Sequence, residues 1–152
     1  MIERILNLFR KEIKKEGEMK ATEVDEMLSV LNRDKKGVIN LSKAQIILTD
    51  TKYNLPNLTS MIDFLKKDLS NFKFYRADEY DCDDFAVRLW AEVKKHSTGM
   101  AFGIVFSYGH VYNVFIDSNK NLWFVEPQTD KIMDLEDIQL NKKYFPVKFV
   151  II

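Results

Sequence analysis

Hydrophobic positions along this chain change their period near residue 100. Before it, apolar residues recur every three or four positions, the mark of a helix with one buried stripe. Ile2, Ile5, Leu6, Phe9 and Ile13 predict a first helix ending near Gly17, and Val24, Met27, Leu28 and Leu31 predict a second begun near Thr22. After a break at Asn54, Pro56 and Asn57, Leu58, Met61, Ile62, Leu65 and Leu69 predict another. The strongest pattern is Phe85, Ala86, Leu89, Trp90 and Val93, which predicts a helix from Cys82 to about residue 95. Asp81 suits its N-cap and Asp84 its first turn, while Lys94, Lys95, His96 and Gly99 suit its end.

From Ala101 onward β-branched and aromatic residues dominate, in AFGIVFSYGHVYNVFIDSNKNLWFVEPQTD, and the pattern predicts strands. Asp117 to Asn121 is a turn cluster between two of them. A three-residue loop at Ser118, Asn119 and Lys120 pairs Ile116 with Leu122 and Val114 with Phe124, and places His110 and Glu126 on one face. A loop one residue longer would set them on opposite faces. PVKFVII, from Pro146, reads as a last buried strand.

Length and charge narrow the picture. A chain of 152 residues suits a single domain able to bury roughly 70% of its unfolded surface, here with a helical part over 1–70 and a core over 71–152. With 23 basic and 23 acidic residues there is no pull toward nucleic acid or an anionic membrane. No apolar run approaches the ~20 residues of a membrane span, and the charged start MIERILNLFRKEIKKEGE has no signal-peptide core. The expectation is a cytoplasmic protein with neither a membrane nor a nucleic-acid partner. A lone cysteine, without an intramolecular disulfide, agrees with a reducing compartment. Asn32, Asp34, Gly37 and Ile39 follow an EF-hand loop, but Lys36 and Lys43 stand where that loop needs oxygen ligands, so a helix-turn-helix without calcium is expected.

Candidate chemistry centres on YDCDDF. A helix start favours a thiolate at Cys82, while Asp83 and Asp84 oppose it by like-charge repulsion. Spacing alone favours a small core residue, because Cys82 shares the stripe of Phe85, Ala86 and Leu89. His110, after a glycine at a strand start, and Glu126, at the end of the paired strand, offer the base and the orienting carboxylate that a cysteine hydrolase requires.

YDCDDFA, GHVYNVFI and WFVEPQTD together resemble the papain-like cysteine protease domain of the Marasmius oreades agglutinin family, over roughly residues 75 to 135. That resemblance implies an α+β, papain-like fold: the cysteine helix packed on an antiparallel β-sheet, with an extra helical N-terminal region. It implies Cys82 as nucleophile, His110 as base and Glu126 as the residue orienting it. It also implies a divalent cation, usually calcium, held by Asp83 and Asp84, with Glu126 and Gln128 adding oxygens. Such a cation would cancel the repulsion of a thiolate. The expected function is a calcium-dependent cysteine protease or related amide hydrolase acting on a protein or peptide substrate. The alternatives are a catalytically silent binding module of the same fold and a cell-wall peptidoglycan endopeptidase of the same superfamily. The agglutinin's sugar-binding domain is absent, so no lectin activity is expected. No glutamine precedes Cys82 nearer than Gln45, which leaves the backbone N–H of Cys82 as the assigned oxyanion donor.

Overall fold

The computed structural model describes residues 12–33 and 43–152. Strand β1 (Lys15–Lys20) leads into helix α1 (Ala21–Leu28) and a 3-10 turn (Ser29–Asn32). Strands β2 (Gln45–Ile47) and β3 (Lys52–Pro56) precede helix α2 (Leu58–Leu65), a 3-10 turn (Ser70–Phe72) and helix α3 (Cys82–Lys94). Strands β4 (Phe102–Ser107), β5 (Val111–Ile116), β6 (Leu122–Glu126) and β7 (Lys131–Met133) follow in succession, then helix α4 (Leu135–Gln139) and strand β8 (Val147–Ile151). Six strands form one sheet in the order β2-β8-β4-β5-β6-β7, and β1 pairs with β3 in a second. The β2–β8 pair is parallel and the others are antiparallel.

This architecture corrects the expected papain-like α+β arrangement. Eight strands form two sheets among the described residues, and the longest helix has 13 residues. The region expected to be helical contributes three strands. Residues 15–20, KEGEMK, are a strand antiparallel to β3, with Met19 opposite Tyr53. Helix-forming lysines and glutamates give way there to backbone pairing, because strand preference depends on the neighbour more than on the residue. The first predicted helix otherwise falls outside the described residues, as does the EF-like loop. Lys20 rather than Thr22 precedes α1, with its N–H donating to Glu23 Oε2 at 2.9 Å. Helix α2 begins where Asn57 Oδ1 accepts from the N–H of Ser60 at 3.0 Å.

Strand alternation divides the interior into two layers. Tyr112, Val114 and Ile116 of β5 face a core shared with Val24, Leu28, Leu31 and Ile138. Phe102, Phe115 and Val125 face Met61 and Leu65 of α2 and Leu89 and Val93 of α3. Helix α3 is fastened by side chains as well as by packing. Asn113 Nδ2 donates to the carbonyls of Ala86 at 2.9 Å and Gly103 at 3.1 Å, and Trp90 Nε1 donates to that of Phe102 at 3.0 Å. Gly103 itself is forced by the sheet: a Cβ there would stand 2.1 Å from the carbonyl oxygen of Ile151.

Candidate functional site

The β4–β5 turn carries His110, and one hydroxyl closes it. Ser107 Oγ accepts the N–H groups of His110 at 3.0 Å and Gly109 at 3.3 Å, and donates to the carbonyl of Lys143 at 2.7 Å. The same serine thus ties the His110 turn to the α4–β8 connection. Tyr112 continues the tie, its hydroxyl donating to the carbonyl of Tyr144 at 2.8 Å. On the neighbouring strand the register places Ile116 opposite Leu122 and Val114 opposite Phe124, so His110 and Glu126 meet on one face.

Three donors converge on Glu126 Oε2: His110 Nε2 at 2.8 Å, Tyr144 Oη at 2.7 Å and Lys143 Nζ at 3.0 Å. Burial pushes the Glu126 carboxyl up, but these bonds outweigh it together and hold the group down to about 2. An ionised carboxylate only accepts, so the His110 proton resides on Nε2. Glu126 Oε1 is buried and has no protein partner. Burial, and then the bond to Glu126, push the Tyr144 hydroxyl above its ordinary value.

Cys82 lies half-buried against Ala86, Ile104 and Val111. Burial is the largest influence on its thiol and pushes it above its ordinary value; a bond from the N–H of Val111 acts the other way, and the charges of Asp81 and Asp83 add to the rise. The sulfur thus sits beside the residue that follows His110, as a protonated thiol at neutral pH. Asp81 and Asp83 are hydrogen-bonded to each other, and that bond is the largest influence on both, lowering Asp81 and raising Asp83. Asp84 is used by the helix: its Oδ2 accepts the N–H of Asp81 at 3.1 Å. Gln128 lies half-buried in the β6–β7 turn. Among the described residues, the grouped ligand atoms are those of Asp81, Cys82 and Asp83, all within 4.8 Å of one another. The two carboxylates suit a hard cation and the sulfur does not. A Cβ on Gly109 would meet nothing within 4 Å, so open space lies over the turn that carries His110.

Sequence reasoning missed Ser107, Lys143 and Tyr144. NKKYFPV carries no spacing that points at a strand elsewhere, and only the fold brings Lys143 and Tyr144 to Glu126.

No family model matches the chain, and no curated protein matches it. Solved structures do. A complex of PSL1a with E64 is 17% identical with a TM-score of 0.70, over 89% of this chain and 51% of that one. Polyporus squamosus lectin bound to the human-type influenza-binding epitope Neu5Acα2-6Galβ1-4GlcNAc is 17% identical with a TM-score of 0.65, over 89% and 49%. The chain therefore shares the fold of about half of each of those chains and spans about half their length. These likenesses overturn the papain-like protease resemblance of the sequence, and with it the cysteine peptidase, the peptidoglycan endopeptidase and the peptide substrate. Among the described residues no helix is long and apolar enough to cross a membrane.

Proposed function

We propose that the chain is a carbohydrate-binding module and that its polar site is the group of Cys82, His110 and Glu126 beside the open turn at Gly109. The likeness to a lectin over 89% of the chain carries the reading. The site supports it with a fixed imidazole, an ammonium at Lys143 whose side chain is 45% exposed, and open space over Gly109. Preorganised polar groups of this kind orient a ligand without an ordering cost. A divalent cation, calcium first, belongs to the same reading: Asp81 and Asp83, whose ligand atoms group together, would hold it, with Asp84, Glu126 and Gln128 as the further candidate ligands. A reducing compartment such as the cytoplasm suits the free thiol of Cys82.

Calorimetry with Neu5Acα2-6Galβ1-4GlcNAc, and intact mass after incubation with E64, test the site. Binding of the trisaccharide should weaken at least ten-fold in Gly109→Trp, which fills the open space, and in His110→Ala. An E64 adduct retained by the wild type and lost in Cys82→Ala would report a nucleophilic thiol and count against a purely binding module. Cleavage of a peptide library that disappears in Cys82→Ala would overturn the binding module, and so would the absence of heat at millimolar trisaccharide.

A further inference from the structure

Four large apolar side chains stand in water between helices α2 and α3: Leu69 is 65% exposed, Phe72 77%, Phe74 88% and Tyr75 59%. Their backbone is held on both sides. Before Phe72, Asp68 Oδ2 accepts the N–H of Ser70 at 2.9 Å and Asn71 Nδ2 donates to Asp130 Oδ2 at 2.7 Å. After Tyr75, Arg76 and Tyr80 exchange bonds from N–H to carbonyl, each at 2.8 Å, and the Tyr80 ring meets Phe85 of α3 edge-on at 4.7 Å. An anchored run of exposed aromatic side chains marks a contact surface more than a loose loop.

The same patch has a hollow. A cavity of about 450 Å³ opens among Phe72, Phe74, Arg76, Glu79 and Tyr80, while Leu69 and Tyr75 are outside its lining. The Tyr80 hydroxyl is buried and has no partner among the described residues. Projections and a hollow on one surface fit a copy of that surface related by a two-fold axis. The charges fit in the same way. Lys66, Lys67 and Lys73 are exposed before Arg76, and Asp78 and Glu79 are exposed after it. An axis near Arg76 therefore sets the lysines of one copy against the acids of the other, whereas a partner of a single sign would be repelled by half of the patch. With formal charge at zero, two chains have no net repulsion to overcome. The four apolar side chains offer roughly 500 Å², and the lysine stems beside them extend the patch toward the ~800 Å² per partner of a stable complex. We propose that this patch is the contact of a two-fold homodimer in which Tyr75 of each copy enters the cavity of the other. The contact goes beyond the carbohydrate reading and uses none of Cys82, His110 and Glu126.

Light scattering of the full chain during size exclusion, at loads from about 1 μM to about 1 mM, tests it. The wild type should weigh as two chains at the upper loads. Phe74→Ser and Tyr75→Ala, both at exposed positions, should weaken the dimer at least ten-fold while the dilute protein melts as before. Lys73→Glu and Glu79→Lys should each weaken it as much. An equimolar mixture of those two variants should restore it, because each reversed charge then faces one of opposite sign. A single-chain mass of the wild type at the highest load would overturn the dimer, and flotation of that monomer with phosphatidylserine vesicles would assign the patch to a lipid surface instead. A dimer indifferent to all four substitutions would place the contact elsewhere and overturn the proposal, and so would charge reversals that weaken it without rescue in the mixture.

Discussion

Asp130 occupies the left-handed backbone region, with φ of 58°, in the turn after Glu126. Its N–H bonds the carbonyl of Glu126 at 2.8 Å, Asn71 Nδ2 donates to its Oδ2 at 2.7 Å, and its Oδ1 is buried without a protein partner. Burial first, and then the charge of Asp68, push this carboxyl from 3.8 to about 7. A raised carboxyl keeps its proton in the folded state where the unfolded chain has released it. Stability is therefore fully present below pH 3.8 and drains away as the pH climbs through about 7. Asparagine tolerates the left-handed conformation and carries no charge. Asp130→Asn should then be about 1 to 2 kcal/mol more stable than the wild type at pH 8, after allowance for partial exposure, and equal to it at pH 3. Urea unfolding at the two pH values measures this, and equal stability at pH 8 refutes the buried charge. The residues around this turn also show what a sequence reveals. His110 and Glu126 were paired by counting along a hairpin, since register depends on loop length alone. Lys143, Tyr144 and Asn71 reach the same region from distant segments, and nothing local announces them.

At the level of elements, helix α3 was legible from end to end, because one apolar stripe and two well-marked termini repeat the same message. The β5–β6 hairpin was legible for a similar reason: DSNKN can do little else between two apolar runs. The strands before residue 60 were not. Residues 15–20 alternate weakly and are strand only because β3 lies beside them, and β2 is a three-residue edge segment held by β8. What fastens α3 to the sheet was equally hidden. Asn113 read as part of a motif, yet it is fully buried and joins the carbonyl of Ala86 in the helix to that of Gly103 in β4. Asn113→Ala removes both bonds and opens a small void, so chemical denaturation should show a loss of about 2 kcal/mol. Because the helix carries Cys82, the same variant should also speed alkylation of that thiol by iodoacetamide, as local opening of α3 exposes it more often. Stability and labelling within error of the wild type would show that apolar packing alone seats the helix.

For the whole molecule, formal charge balances at 23 basic against 23 acidic residues, so added salt has little net repulsion to screen. A rise in melting temperature on adding calcium would therefore report a site rather than a field. The candidate donors are Asp81 and Asp83, hydrogen-bonded to each other at the start of α3, a place fixed only in the folded chain. A ligand that binds the folded state alone stabilises it by about 2.7 kcal/mol at a hundred times its dissociation constant. For a chain of this size that corresponds to roughly 5 to 10 °C. Calcium should produce such a rise where sodium chloride of matched ionic strength does not, and the rise should shrink at lower pH, because protons compete for the same two carboxylates. Asp83→Asn should abolish it. Asp84→Asn should behave differently: its carboxylate accepts the N–H of Asp81 at 3.1 Å, so the variant should melt earlier with or without calcium. A calcium response that persists in Asp83→Asn would move the cation elsewhere in the molecule. No response at 10 mM, about ten times the dissociation constant of the weakest extracellular calcium sites, would leave the paired aspartates without a cation.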